Sequence, residues 1–438
     1  MRVLQAPLNI ANQGWMNAEA LRLRGHEAEV WQFGESTFGY PADRVFTDFG
    51  HPGAIVENLL EAIGRRFDVV HFHFAQSLVP PVGPLPWMWD LPMWKALGVR
   101  IVFSFHGTDI RIARIAKKLD PWSAYHFAEI PCDEDRIEDA LAVIRGFADG
   151  YTISNVANRP YFPEADYLPL SVDLREIPES VWHHIPGKQL VVAHAPSARG
   201  TKGTEFVLKA FDKLRREGLK FEVDLIEGAT NREVLERYAR ADVVVEKLVN
   251  EGFGVAALEA MAVGRPVVSR VAAMVYDVHP SLPIIDATPE SFADVLRDLL
   301  GDPAEIGRRA SLGRPYVRDN HDIALTGERL ETLYSHPSAQ GEQIYPGWPV
   351  PRRDRRVSEL QARVHELRML AQAKSSDHLL AVSEDPAAEV RRLNAQVGAL
   401  RAANRVLERE CGEARHSPWH RVARRLRRAA RAVRPWRR

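Results

Sequence analysis

The sequence predicts an α/β protein: two consecutive doubly wound units facing a cleft, followed by a helical C-terminal extension. Three observations predict it. Short apolar runs alternate with amphipathic stretches through about residue 335, the rhythm of parallel strands covered by helices on both faces. That rhythm starts afresh near Gly187, and 438 residues are enough for two or three hydrophobic cores. Beyond a stretch rich in proline and glycine the pattern becomes heptads and then an arginine-rich tail. The expected organisation is therefore a first unit at 1–175, a second at 176–335, a linker at 336–355, coiled-coil segments at 356–414 and a basic tail at 415–438.

In the first unit, strands are expected at 3–5, 27–31, 69–74, 100–104 and 150–153, with a helix at 16–24 ended by Gly25. In the second, a strand at 189–194 leads to a helix at 204–216 capped by Thr204, then a strand at 221–225 and a helix at 231–240. A strand at 242–247 follows. The helix at 253–263 is stopped by Gly264, and the next strand is 266–270.

The formal charge of the whole chain is +0, but it is unevenly spread. Every acidic residue lies at or before Glu413, and ten arginines lie from Arg415 onward. The body thus carries 48 basic against 58 acidic side chains, a net of −10. This argues against a specific nucleic-acid binder and sets the tail apart with an anionic partner of its own. Cys132 and Cys411 cannot make a disulfide framework, so a reducing cytoplasm is expected. No secretory apolar core and no apolar run of about 18 to 20 residues is found, which sets aside secretion and membrane spanning.

Val357, Leu360, Val364, Leu367 and Ala371 recur at heptad spacing, as do Val390, Leu393, Val397, Leu400, Asn404, Leu407 and Cys411. Valines with Asn404 on one seam position and leucines on the other favour a parallel two-stranded coil, hence a homodimer. A lone amphipathic helix folded on the body is the alternative. The segment Trp419–Arg438 interleaves Trp419, Val422, Leu426, Val433 and Trp436 with arginines, which suits an anionic membrane surface. Nucleic acid or a solvated tail are the other readings.

The chemistry concentrates in three loops. Glu251-Gly-Phe-Gly-Val-Ala-Ala-Leu-Glu259 follows a strand and opens a helix, where free N–H groups and the helix dipole favour an anion. Its two glutamates stand about 12 Å apart at about 1.5 Å per residue, the span of a sugar, a diphosphate and a ribose. Arg199 and Lys202 lie in the turn after the 189–194 strand, at the sheet edge where doubly wound folds bind ligands, and offer two charges to a diphosphate. His106-Gly-Thr-Asp109 ends the 100–104 strand. There His106 would donate a hydrogen bond to departing charge, with Asp109 orienting its ring. The ordinary readings are surface carboxylates, solvated basic residues and a histidine satisfied by loop backbone.

Taken together, Glu251-x7-Glu259, the Arg199 to Lys202 turn, the His106 to Asp109 loop and Ser154-Asn155 resemble a retaining family-four glycosyltransferase of the GT-B fold, over about residues 1 to 335. The resemblance implies an N-terminal acceptor domain and a C-terminal nucleotide-sugar domain. It also implies transfer with retained configuration, no metal-binding Asp-x-Asp and no cofactor beyond the nucleotide-sugar donor. By position, it gives Glu251 the donor sugar, Glu259 the ribose, and Arg199 with Lys202 the leaving diphosphate. The backbone amides of Phe253, Gly254 and Val255 would assist, His106 would lie by the donor sugar, and Gly14 would approach the phosphates or the acceptor. Arg199 stands three residues before Lys202 where many members have five, and Trp15 follows Gly14 where a second glycine is frequent.

Other signals compete. Gly252-x-Gly254-x-x-Ala257 with Arg270 fits a dinucleotide fingerprint of a reductase. His71 and His73 share a strand face as metal ligands would. Asp133-Glu-Asp135 reads as helix-start charge, and the loop holding Trp87, Trp89 and Trp94 reads either as a lipid-touching acceptor surface or as core. The expectation is a retaining hexosyltransferase of bacterial cell-surface polysaccharide or glycolipid assembly, cytoplasmic and peripheral at the inner membrane face. Its acceptor is expected to be a saccharide or a lipid-linked group. A non-catalytic coiled-coil scaffold and a nucleotide-sugar epimerase of the same fold are the alternatives.

Overall fold

Uninterrupted Val, Ile and Phe runs demand burial on both faces, and the chain supplies it with two parallel sheets. In this computed structural model the described residues are 1–48, 51–80, 87–335 and 395. Chain contacts divide the protein into Met1–Val350 and Pro351–Arg438. The expected linker, coiled-coil segments and Trp419–Arg438 tail lie outside the described residues, apart from the helical, exposed Ala395.

The first sheet contains β1 (Arg2–Ala6), β2 (Glu27–Phe33), β3 (Arg44–Phe46), β4 (Val69–His73), β5 (Arg100–Phe105), β6 (Gly150–Ile153) and β7 (Asp166–Tyr167). Their order is β3-β2-β1-β4-β5-β6-β7, all parallel. Val3 pairs with Ala28 on one side and Val69 on the other. The second sheet contains β8 (Val191–His194), β9 (Glu222–Leu225), β10 (Val243–Val245), β11 (Val267–Ser269) and β12 (Ile285–Asp286), in the order β12-β11-β10-β8-β9, again parallel. Chain direction across each sheet reverses once, between β1 and β4 and between β8 and β10. Helices diverge there and leave a crevice at the carboxyl ends of the strands.

Each sheet is covered on both faces. Trp31, Phe72, Phe103 and Phe105 fill one side of the first sheet, and Val3, Val30, Val69 and Val102 the other. Val192, Val243 and Val245 face one side of the second, and Ala193, Val244 and Val267 the other. Trp94 is buried in the first core with Nε1 donating to Asp90 Oδ2 at 3.1 Å, and Trp87 and Trp89 pack against that core half-buried.

Several boundaries differ from the sequence reading, for identifiable reasons. The first helix begins at Gln13, behind the left-handed Ala11 and Asn12, rather than at residue 16. The helix Thr204–Arg216 is preceded by Gly203 at φ +70°, and Thr204 does not cap it. Its hydroxyl is 2.9 Å from His194 Nε2 instead. β10 stops at Val245, so Glu246 and Lys247 leave the sheet at its carboxyl edge. The helix after it begins only at Val255, with Gly254 as N-cap, and is closed by Gly264 in the left-handed region. Asp133 caps the helix Glu134–Phe147 by accepting from Arg136 N. The helix Ile323–Ser335, grouped by sequence with the second unit, returns to the first: Tyr334 meets Gln5 and His71, and Glu331 binds Arg24. Among the described residues no helix is long and apolar enough to cross a membrane.

Candidate active site

Because both sheets present their strand ends to the same space, residues just beyond β1, β5, β8 and β10 converge. Asn9, His106, Ser197 and Lys247 all line one cleft of about 660 Å³, together with Lys202, Glu251, Phe253, Gly254, Val255 and Glu259. Arg199, Asp109 and Gly14 do not.

The second lobe's wall is built around the helix Val255–Val263. Its N-cap is Gly254, with no side-chain cap, so the first-turn N–H groups face the cleft unclaimed by a side chain. A Cβ at Gly254 would stand 3.1 Å from Glu246 Oε1 and 3.6 Å from Lys202 Nζ, and its absence lets that charged pair approach the helix end. Lys202 Nζ is 2.6 Å from Glu246 Oε1. Ser269 Oγ donates to Glu246 Oε2 at 2.8 Å, and Lys247 Nζ stands 3.9 Å from the same oxygen. Burial alone would raise the Glu246 carboxyl, but Lys202 and Lys247 hold it down to about 2. Glu246 is thus a fixed anion that aims Lys202. It carried no signal in sequence because it reads as the end of a strand.

Glu251 is 8% exposed and its Oε2 is buried without a partner, a carboxylate oxygen held ready for donors that a ligand brings. Glu259 lies about one turn into the helix that starts at Val255, so the spacing from Glu251 is not a continuous helical rise. It is equally buried, and Asn231 Nδ2 donates to its Oε1 at 2.7 Å. Burial pushes the Glu259 carboxyl up to about 7, against Asn231 and Lys202, which pull it down. Asn231 is in place because Thr230 and Glu233 close a capping box at the start of its helix.

Arg199 does not join Lys202. Standing only three positions before Lys202, it opens the same short helix, where its guanidinium forks onto Glu227 at 2.8 and 2.9 Å and reaches Glu205 at 3.2 Å. Gly14 is likewise set back: it sits inside the first helix against Asn9, whose Oδ1 a Cβ would meet at 3.3 Å, while Asn9, Ile10 and Ala11 line the cleft in its stead.

On the first lobe, Asp109 does not orient the His106 ring. Its Oδ1 accepts from the backbone N–H of His106 at 3.1 Å and of Gly107 at 2.7 Å, which fixes the loop. Burial pushes this carboxyl up to about 6 despite those bonds. The ring is held from below, with His106 Nε2 3.0 Å from His73 Nδ1 and His73 Nε2 2.8 Å from Gln5 Oε1. Gln5 Nε2 donates to Tyr334 Oη at 3.0 Å, Tyr334 meets His71 Nδ1 at 2.8 Å, and His71 Nε2 meets Ser104 Oγ at 2.7 Å. His71 and His73 are fully buried parts of this relay, which occupies both nitrogens of each. Burial lowers His106 to about 4. A neutral His73 that donates to Gln5 accepts at Nδ1, so His106 gives its Nε2 proton inward and presents an acceptor nitrogen, not a donor, elsewhere.

The lobes are joined beside the site. Asn250, at φ +66°, takes Trp122 O through its N–H at 2.8 Å, while its Oδ1 accepts from Ala124 N at 2.9 Å. Arg270, the residue a dinucleotide reading would put on a 2′-phosphate, is spent on Asp120 Oδ1 at 2.5 Å and Asn250 O at 3.0 Å.

Residues 211–302 match the family described as Glycosyl transferases group 1, a stretch holding Asn231, Glu246, Glu251 and Glu259. Sucrose-phosphate synthase from Thermosynechococcus elongatus superposes with a TM-score of 0.56 at 14% identity, over 76% of this chain and 98% of that one. The catalytic domain of starch synthase IV from Arabidopsis thaliana gives 0.50 at 12%, over 76% and 99%. The fold is GT-B. D-inositol 3-phosphate glycosyltransferase of Kineococcus radiotolerans is 34% identical over 142 residues, 30% of this chain. The matched stretch spans 31% of that relative's length. Glu251, whose buried Oε2 has no partner, lies in the wall of the cleft between the two sheets.

Proposed function

We propose that the protein is a retaining glycosyltransferase that moves a sugar from a nucleoside-diphosphate donor to a hydroxyl of a saccharide or lipid-linked acceptor, without resident metal or cofactor. One observation carries this reading: a single cleft holds an unpaired Glu251 oxygen, Lys202 beside a free helix N-terminus, and Glu259 on that same helix. Sugar hydroxyls would satisfy Glu251, the diphosphate would lie on Lys202 and the amides of Phe253, Gly254 and Val255, and ribose hydroxyls would donate to Glu259. In the reaction the anomeric carbon's bond to the phosphate oxygen breaks as the acceptor oxygen bonds to the same face of that carbon. The acceptor's proton passes to the departing phosphate oxygen. Lys202 and the helix dipole stabilise the charge that develops there, and Glu246 keeps Lys202 in position without taking part. His106 lines the sugar end as a neutral acceptor. A basic tail on an anionic membrane and a dimer through the heptads would carry this cleft to lipid-linked acceptors in surface polysaccharide or glycolipid assembly.

Calorimetric titration of the full chain with UDP, GDP, ADP and their sugars tests the reading. Binding of at least one nucleotide, weakened about tenfold or more by Glu259→Ala, is expected, because two hydrogen bonds to a carboxylate are lost. Failure of every nucleotide to bind would overturn it in favour of a scaffold. The unpaired, buried Glu251 oxygen speaks for an occupied site.

A further inference from the structure

One segment of the first lobe reaches across and ties itself to the second. The loop between β2 and β3 is anchored at both ends within its own lobe: Gln32 Nε2 donates to Gly34 O at 2.8 Å, and Asn9 Nδ2 to Pro41 O at 3.0 Å. Between those anchors Phe38 O accepts from Asn231 N at 2.9 Å. Gly39, at φ +72°, lies against Thr230, whose methyl a Cβ there would meet at 3.8 Å. The loop is therefore a strap laid on the start of the helix Asn231–Tyr238, whose first residue holds Glu259.

Two aromatic rings come with the strap. Phe38 and Tyr40 line the cleft with their ring centroids 5.7 Å apart, and Phe38 is 39% exposed. Burial, and then the Glu259 carboxylate, push the Tyr40 hydroxyl well above its ordinary range. From the second lobe Tyr238 lines the same cleft, fully buried, and its Oη has no partner. Burial and then Glu259 act on this hydroxyl in the same direction. Tyr40 and Tyr238 thus approach Glu259 from opposite lobes.

A fully buried hydroxyl without a partner costs stability until a ligand completes it, and an exposed aromatic pair beside it offers a flat apolar face. A nucleobase supplies both counterparts at once, a π face for the rings and polar edge atoms for the hydroxyl. A diphosphate has no such face. The strap's tie to Asn231 sets the rings at the Glu259 part of the donor helix, which the transfer reading gives to the ribose.

We propose that Phe38 and Tyr40 of the first lobe form the platform on which the donor's nucleobase stacks, with Tyr238 Oη bonded to the edge of that base. The assignment rests on the reading of this cleft as a nucleotide-sugar site. It gives the first lobe a part in selecting the donor, beside its part in holding the acceptor.

The test titrates UDP, GDP and ADP into the full chain and into Phe38→Ala, Tyr40→Ala, Tyr40→Phe and Tyr238→Phe, with inorganic pyrophosphate as the probe that lacks a nucleoside. For whichever nucleotide binds, Phe38→Ala and Tyr40→Ala should each weaken binding about five- to hundredfold, the worth of a stacked base. Tyr40→Phe keeps the ring and should keep most of the affinity. Pyrophosphate binding should be the same in all of them. Phe38 is exposed, so its truncation leaves the question answerable even if Tyr40→Ala fails to fold. Tyr238→Phe removes a hydroxyl that has no partner in the empty protein, so it should weaken the nucleotide without lowering the unfolding midpoint of the nucleotide-free chain. A lower midpoint with unchanged affinity would take Tyr238 out of the assignment. The platform is overturned if nucleotide affinity ignores both alanine variants, or if pyrophosphate loses as much as the nucleotide does, since the strap would then only hold the lobes together. Failure of every nucleotide to bind the unaltered chain would overturn the nucleotide-sugar reading and the platform with it, whereas binding that ignores the strap overturns the platform alone.

Discussion

Gly252 lies against the side chain of Asn155 from the opposite lobe, so closely that a Cβ on the glycine would overlap the Asn155 amide. Asn155 is held there by Ala157 N, which donates to its Oδ1 at 2.9 Å, and its Nδ2 donates to Glu251 O at 3.4 Å. Gly252 adds φ +73°, a left-handed backbone. Gly252→Ala should therefore cost about 1–2 kcal/mol in backbone strain and about 1–3 kcal/mol in overlap. Denaturant unfolding of Gly252→Ala, Asn155→Ala and the double variant separates the two. The double variant should recover the overlap and keep the strain, and strict additivity of the single changes would show that the contact is not the cause.

The Lys202–Glu246 pair makes a pH-dependent prediction. Glu246 is held at about 2, below its ordinary 4.5, so its contribution to stability is present above about pH 4.5 and is lost as pH falls through about 2. Lys202→Met leaves the carboxylate buried beside Lys247 alone. It should lower stability by about 3–5 kcal/mol near pH 7, and by less near pH 5, where a proton relieves the uncompensated charge. Unfolding curves at the two pH values check this. An equal loss at both would mean that packing of the lysine stem, not charge, is what the variant removes.

The fold and half of the site were legible in sequence because both rest on local signals. Apolar runs such as 69–74 and 100–104 can only be buried strands, and Glu251, Glu259 and Lys202 sit at strand ends that any doubly wound sheet turns toward its crevice. What was not legible depends on distant partners. Arg199 and Lys202 look alike in the turn, and only the position of Glu227, 28 residues on, takes Arg199 out of the cleft. Glu246 and Lys247 read as the polar end of a strand, and no local pattern reveals that Ser269 and Lys202 converge on them. The Gln5, His71, His73 and Tyr334 relay joins the second residue row of the first sheet to the last described helix, a separation of 329 residues that periodicity cannot span.

Glu259 should link nucleotide binding to a proton. Burial raises it to about 7, so the folded protein holds this proton more tightly than the unfolded chain, and the stability so gained is present below about pH 4.5 and lost as pH rises through about 7. Only the carboxylate can accept both ribose hydroxyls. Nucleotide affinity should then rise between about pH 6 and about pH 8, with a fraction of a proton released near pH 7. Calorimetry in two buffers of different ionisation enthalpy measures that release. Glu259→Gln should remove it, and release that persists in Glu259→Gln would assign the proton to another group.

His106 makes the most pointed prediction, because its state is set by residues it does not touch. Gln5 uses its amide nitrogen on Tyr334, which leaves its oxygen to accept from His73 Nε2. A neutral His73, its pKa pressed down by burial and by its neighbours His71 and His106, then has a bare Nδ1, and the only proton available to that bond is the one on His106 Nε2. With burial lowering His106 to about 4, the ring stays neutral and Nε2-protonated across the range in which an ordinary histidine titrates near 6.5. Nitrogen-15 spectra of the histidine rings should show this tautomer from about pH 6 to about pH 8, and the pH profile of transfer should have no limb from His106 in that range. Tyr334→Phe removes the anchor of Gln5 and should cost about 1–2 kcal/mol of stability while freeing the amide to turn. In that variant the fixed tautomer should give way to a mixture. A His106 that titrates near 6.5 in the wild type, or a tautomer unchanged in Tyr334→Phe, would break the chain of inference at its first or its last bond.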